Sequence, residues 1–403
     1  MDAAHLDILI GGTLGIVAIL AGIAGRRFGT PLLLVFLVLG MLAGEDGPGG
    51  IRFSDFQLTY LLGSIALVVI LFEGGQKTSF AMVREAGWPA LLLATLGVVL
   101  TAGIVASVIV AVSDVDWIAA LLLGSLVAPT DAAAVAAVLR TSGVVLPHRV
   151  LAILELESGL NDPMSVFLTV LLTHERLHVA LAQPAYEVIE LLREMGGGAI
   201  AGVLAGAAMI FVVRRLRLDH GLRSVLLLAM AAAVFGGAQL RHVSGFLAVY
   251  VAAVLVGNRG GETTVEAGSI FGGFAWVCQI GLFLMLGLLV TPHDTLPWVP
   301  AAVFTACVLI FVARPVATVL CLVWFGVPWR EMAFIAWVGL RGAVPIYLAV
   351  IPVLAGTPRG ELAFVLAFVI VIVSLVVQGW TVGPVARLLR FSVARVQPAI
   401  PVN

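Results

Sequence analysis

Apolar runs long enough to cross a bilayer recur along almost the whole of this chain, and they constrain its fold more than any other feature. A hydrocarbon layer of about 30 Å takes about 20 apolar residues of helix. Runs of that kind lie at roughly 6–25, 30–44, 57–75, 87–112, 117–139, 150–173, 187–213, 222–240, 244–257, 270–290, 298–323, 331–354 and 361–384. The run at 30–44 is short, and 187–192 is polar enough for an interface. A membrane barrel would alternate apolar and polar residues; these runs are apolar all round. Only 11% of the residues are charged, against about 25% in an ordinary soluble domain. A cytosolic enzyme, a secreted disulfide scaffold and a disordered chain are excluded. The expected fold is an all-α polytopic membrane protein of about 13 transmembrane helices.

The net charge of −1 offers no basic field for nucleic acid. Basic residues alternate between loops instead. Fifteen of the 22 lie in one set: Arg26, Arg27, Lys77, Arg84, Arg140, Arg149, Arg214, Arg215, Arg217, Arg223, Arg259, Arg330, Arg387, Arg390 and Arg395. The other set holds Arg52, Arg176, Arg193, Arg241 and Arg359, while Arg314 and Arg341 fall within apolar runs. Positive charge favours the cytoplasmic side, so the N-terminus is expected outside and the C-terminus inside. The transmembrane domain is expected over 1–390. A short cytoplasmic tail is expected over 391–403, with no soluble regulatory domain. Asp2, His5 and Asp7 replace the basic start of a signal peptide, so the first run reads as a retained span. Cys278, Cys307 and Cys321 read as small buried hydrophobes. His174 and His178 have the spacing of a helical metal pair but read as a solvated loop.

Two runs break at mid-depth. The fifth contains Ala128-Pro129-Thr130-Asp131, and the twelfth Gly339-Leu340-Arg341-Gly342-Ala343-Val344-Pro345. Proline removes a backbone donor and clashes with the turn before it. If 6–173 and 222–384 are two repeats joined by a helix at 187–213, the breaks fall at equivalent positions in opposite orientations. Broken helices at matching places in inverted repeats point to a transporter's binding site.

The sixth run carries Glu155, Glu157, Ser158, Asn161 and Asp162 ahead of Pro163. Acids at this depth cost a few kcal/mol each. Helical spacing places Glu155, Ser158 and Asp162 on one stripe, and Glu157 with Asn161 beside it. The first stripe offers hard oxygen ligands for a small cation. Glu73 and Glu155 sit towards the inner ends of their runs, as a funnel leading to Asp162. Arg341 needs a counter-charge, and Glu157 is the expected partner. Thr130 and Asp131, at the fifth-run break, could add carbonyl ligands and opposing half-helix charges.

The segments Pro129–Ala134, Glu155–Pro163, Gly339–Pro345, Gly40–Gly44 and Gly257-Asn258-Arg259 resemble those of bacterial NhaP-type monovalent cation/proton antiporters of the cation:proton antiporter-1 family. The nearest branch resembles the CvrA-type potassium/proton antiporters. The resemblance covers almost the whole chain. It implies an NhaA/NhaP-like fold with a six-helix transport core, unwound helices 5 and 12 that cross, a homodimer and an elevator movement. It implies that Asp162 is the ion- and proton-binding carboxylate within an Asn161-Asp162 signature. It further implies that Ser158 and the Thr130 main chain are ion ligands, and that Glu157 and Arg341 form a structural pair. Relatives in the potassium branch usually continue into cytosolic regulatory domains; this sequence ends at Asn403.

The expected function is exchange of K+, or alternatively Na+ or Li+, for H+ in a bacterial inner membrane, with no cofactor. Burial favours a neutral acid and a bound cation favours an ionised one. One carboxylate can therefore hold either a cation or a proton. A carrier that crosses only when that charge is neutralised gives electroneutral one-for-one exchange. A channel through the same breaks is the first rival, and would conduct without obligatory proton movement. An intramembrane enzyme is the second; it lacks a membrane histidine near Ser158 and a glycine two residues before Asp162.

Overall fold

Helix starts are written into the connecting turns. Asp55 accepts from the Leu58 amide at 2.8 Å, and Ser79 from Met82 at 3.2 Å. Asp116 accepts from Ala119 at 2.8 Å, and Ser244 from Leu247 at 3.3 Å. Each supplies an acceptor that the first helical turn lacks. In the computed structural model, which describes residues 2–27, 30–177, 184–216, 218–260 and 262–393, the resulting elements are almost all helical. We number them α1 (Asp2–Arg27), α2 (Leu32–Ala43), α3 (Phe56–Lys77), α4 (Phe80–Val112), α5a (Trp117–Val127), α5b (Ala132–Ser142), α6 (His148–Leu177) and α7 (Pro184–Arg215). They continue as α8 (His220–Gln239), α9 (Gly245–Arg259), α10 (Glu262–Leu288), α11 (Leu296–Phe325), α12a (Trp329–Trp337), α12b (Ala343–Leu354) and α13 (Gly360–Leu388).

Each apolar run of the sequence falls on one of these elements or broken pairs. Length and apolarity qualify seven helices as membrane crossings among the described residues, and the bent α5a–α5b pair makes eight. The others offer shorter apolar stretches, as Leu9–Gly25 within α1, or are polar as α6 is. The thirteen crossings expected from sequence are thus more than helix length alone establishes. The surface agrees with a membrane environment: Leu204, Phe211, Val277 and Trp324 all face outward, which in water would form costly apolar patches. His178 and residues 394–403 lie outside the described residues, and His174 is exposed. Among the described residues no group of three or more His, Cys, Asp or Glu could hold a metal. The three cysteines are free: Cys321 is buried, Cys278 half-buried and Cys307 exposed. Exposure at Cys307 corrects the expectation of three buried thiols, because its face of α11 lies on the outer surface of the bundle.

The helices associate through a few close seams. α2 packs on α10, α9 on α3 and α7, and α4 on α5a and α6. Two helices carry a wider π-type turn, Leu93–Gly97 in α4 and Leu309–Ala313 in α11. The α4 turn packs against both α6 and α11. Such turns reset the helical phase by a residue and often mark functional sites. Two short strands, Val144–Val145 and Ser392–Val393, pair antiparallel and tie the segment after α5b to the end of α13.

The Gly257-Asn258-Arg259 motif has a mechanical role. Asn258 accepts from the Phe80 amide at 2.7 Å and donates to the Thr78 carbonyl at 2.8 Å, clamping the α3–α4 turn. The Arg259 guanidinium lies 5.8 Å from the Phe80 ring centre. Asn258→Ala should cost about 1–3 kcal/mol by stranding these groups. Thermal unfolding in detergent checks this, with Asn258→Asp expected to lose less because it keeps the acceptor.

Candidate ion-binding site

The two breaks cross one another. After α5a, Pro129 lacks the amide needed to continue the helix, and the chain bends by 43° before α5b begins. Asp131 restarts the helix as its N-cap, accepting from Ala133 at 2.8 Å and Ala134 at 3.0 Å. α12a ends at Trp337, whose carbonyl accepts from Gln378 at 2.7 Å. Ser374 accepts from the Arg341 amide at 3.1 Å, so α13 supports the unwound stretch. Pro345 then falls in the first turn of α12b, where no amide donor is needed. At the crossing, the Asp131 amide donates to the Leu340 carbonyl at 2.9 Å.

Arg341 is buried there and donates to the carbonyls of Ala128 and, at 2.9 Å, of Pro129. These sit at the negative end of α5a, so the guanidinium answers a helix terminus. The expected Glu157–Arg341 pair is therefore corrected. Glu157 is paired with Arg314 of α11 through two parallel bonds of 2.5 and 2.9 Å, all within the core. That fork geometry is the strong form of an arginine–carboxylate pair. Two glycines make room for these charges. A side chain at Gly339 would meet Arg314, and one at Gly342 would overlap the Asp131 carboxylate.

α6 passes beside the crossing. Ser158 accepts from the Ala132 amide at 3.0 Å, and Asn161 donates to the Thr130 hydroxyl at 2.8 Å. Asn161 and Thr130 thus fix α6 to the break. Asp162 lies one residue further on, with its Oδ1 buried and without a hydrogen-bond partner.

A cavity of about 360 Å³ reaches this point. Asp131, Ser158 and Asp162 line it, with Glu73 and Glu155 further along. The structure so brings the two funnel acids and the carboxylate stripe together. Thr130, Asn161, Glu157 and Arg341 stay behind the wall. Lys77 and Arg140 also line the cavity, and Lys77 is ion-paired with Glu73. The approach is accordingly mixed in charge, where the sequence suggested acids alone. Tyr250 of α9, which the sequence reading did not single out, completes the wall and shares a 3.1 Å hydroxyl contact with Thr78.

Residues 15–388 match the family model described as "Sodium/hydrogen exchanger, transmembrane". This chain belongs to the sodium/hydrogen exchanger family. It is 44% identical over 395 residues to a protein named K(+)/H(+) antiporter NhaP from Alkalimonas amylolytica, covering 98% of this chain and 69% of that one. It is 42% identical to a K(+)/H(+) antiporter NhaP2 from a Shewanella species, covering 97% and 68%. The solved sodium proton antiporter MjNhaP1 from Methanocaldococcus jannaschii shares the fold, with a TM-score of 0.81 at 20% identity, over 95% of this chain and 99% of that one.

The exchanger's buried pair gives a stability test. Arg314→Met strands the Glu157 carboxylate in the core, at a cost of about 3–5 kcal/mol. Glu157→Gln combined with Arg314→Met should recover most of the loss in thermal unfolding. Equal melting of the single and double variants would contradict the pairing.

Proposed function

We propose that this exchanger swaps a monovalent cation, with potassium favoured, for a proton at Asp162. One observation carries the assignment. Three carboxylates lie around the crossing, and two are already engaged: Asp131 caps α5b and Glu157 holds Arg314. Asp162 is the one with a buried, unpartnered oxygen at the cavity wall. An ionised carboxylate left so in an apolar setting is costly, and either a dehydrated cation or a proton relieves the cost.

Charge balance supports a one-for-one exchange. Asp131, Glu157 and Asp162 face Arg314 and Arg341, leaving one net negative charge when all are ionised. One bound cation or one proton neutralises it. The loaded protein can then cross as a neutral unit, while the empty one carries an uncompensated charge. Ser158, beside Asp162 on the same stripe, supplies a further oxygen. The Thr130 main chain, just behind the wall, and the second Asp131 oxygen, which makes neither capping bond, complete the proposed ligand group. Preference for potassium rests on the relatives named as K(+)/H(+) antiporters.

The moving unit in this reading is the six-helix group α4–α6 and α11–α13. Paired breaks in α5 and α12, and paired π turns in α4 and α11, support two inverted repeats related as the sequence suggested. The remaining helices form the scaffold and the dimer contact of an elevator in a bacterial inner membrane. Lys77 and Arg140, at the cavity lining, belong to the arginine-rich loop set. That supports an inward-facing cavity, with the N-terminus outside and the C-terminus in the cytoplasm.

Purified protein in proteoliposomes tests the proposal. Dissipation of an imposed pH gradient should follow addition of potassium or rubidium more readily than lithium, and clamping the membrane potential should leave the rate unchanged. Asp162→Asn should abolish exchange while the protein still folds. Full exchange by that variant overturns the assignment, and faster exchange with sodium reassigns the cation.

A further inference from the structure

A second cavity, of about 580 Å³, lies on the same seam as the first. Both are walled on one side by α6 and α12b, and on the other by α3 and α9. Along each helix the two cavities take successive residues. On α6 the first takes Glu155 to Asp162 and the second begins at Val166. On α9 the first takes Tyr250 and the second Phe246; on α12b the first takes Val344 and the second Tyr347.

Tyr347 lines the second cavity about one turn of α12b beyond Val344 of the first. Tyr347 is fully buried. Its ring stacks on Tyr60 at 5.7 Å and meets the edge of Phe246 at 6.5 Å. Ser64 donates to the Tyr60 carbonyl at 2.7 Å, which leaves the Ser64 oxygen to accept from the Tyr347 hydroxyl at 2.7 Å. Gly63 lies under the ring, and a side chain there would overlap it. Tyr347 belongs to the helix group that carries Asp162, and its partners Tyr60, Ser64 and Phe246 belong to the other.

We propose that Tyr347 is the seal between the two cavities and that its hydrogen bond to Ser64 latches Asp162 towards the first. The inference rests on the exchange reading above and names the contact that its motion must break. Four residues separate Asp162 from Val166, about 6 Å of helix. A slide of one turn along the seam therefore brings Asp162 level with the second cavity. The slide cannot begin while Tyr347 is bonded to Ser64 and wedged over Gly63. The hydroxyl is the adjustable part, because the ring alone fills the gap.

The test places a single thiol at the first cavity by Ala136→Cys, with Cys278, Cys307 and Cys321 replaced by serine. A membrane-impermeant maleimide is applied from either face of oriented vesicles. The thiol should react quickly from the first-cavity face and slowly from the other. Ser64→Ala and Tyr347→Phe should each raise the slow rate severalfold relative to the fast one, and the double variant should exceed neither single by much. An unchanged ratio in both variants overturns the seal, as does an equal rise from both faces, which is general loosening. The same ratio is read with Asp162→Asn present, so failure of the exchange reading shows in the transport assay and failure of the seal shows here.

Discussion

A charge inside an apolar bundle has to be answered within the protein, since the hydrocarbon layer offers it nothing. The rest of this structure follows from how five such charges are answered. Arg341 meets the carbonyl end of α5a, Asp131 meets the amide end of α5b, and Arg314 meets Glu157 across the core. The first two support the broken helices at a crossing that also carries a backbone bond from Asp131 to Leu340, and the third ties α6 to α11. Asp162 is left with an oxygen that no side chain or amide satisfies. Glu157 is thus committed to an ion pair while Asp162 is not, and substitution at one should be separable from substitution at the other.

Much of the fold was legible because hydrocarbon imposes a composition that survives without structural knowledge. The breaks were legible too, because Pro129 and Pro345 cannot donate to a helix and charged residues adjoin them. Helical spacing correctly set Glu157 apart from the cavity stripe of Glu155, Ser158 and Asp162. Its partner is Arg314 and not the expected Arg341. Arg314 and Arg341 both lie deep within apolar runs, and Arg341 lies in a conspicuous motif. Spacing along one helix carries no information about which of two other helices faces it. The carbonyls of Ala128 and Pro129 held the missing clue, since an interrupted helix exposes acceptors that a guanidinium can take.

Other features had no sequence signal of their own. The π turns of α4 and α11 occur within ordinary apolar sequence, as the local phase of a helix is settled by what it packs against. Tyr250 and Tyr347 stand in no motif, and only their placement on a seam between helices brings their hydroxyls to Thr78 and Ser64. That seam borders the site: the helices that line it beside Asp162, α6 and α12b, face α3 and α9 in both cavities.

Competition sets the proposed exchange apart, with cation and proton alternating on one carboxylate. Potassium added to weakly buffered, purified protein reads this directly as proton release. Close to one proton should be released per bound cation, and none from Asp162→Asn. Cation binding without proton release from the unaltered protein would contradict it.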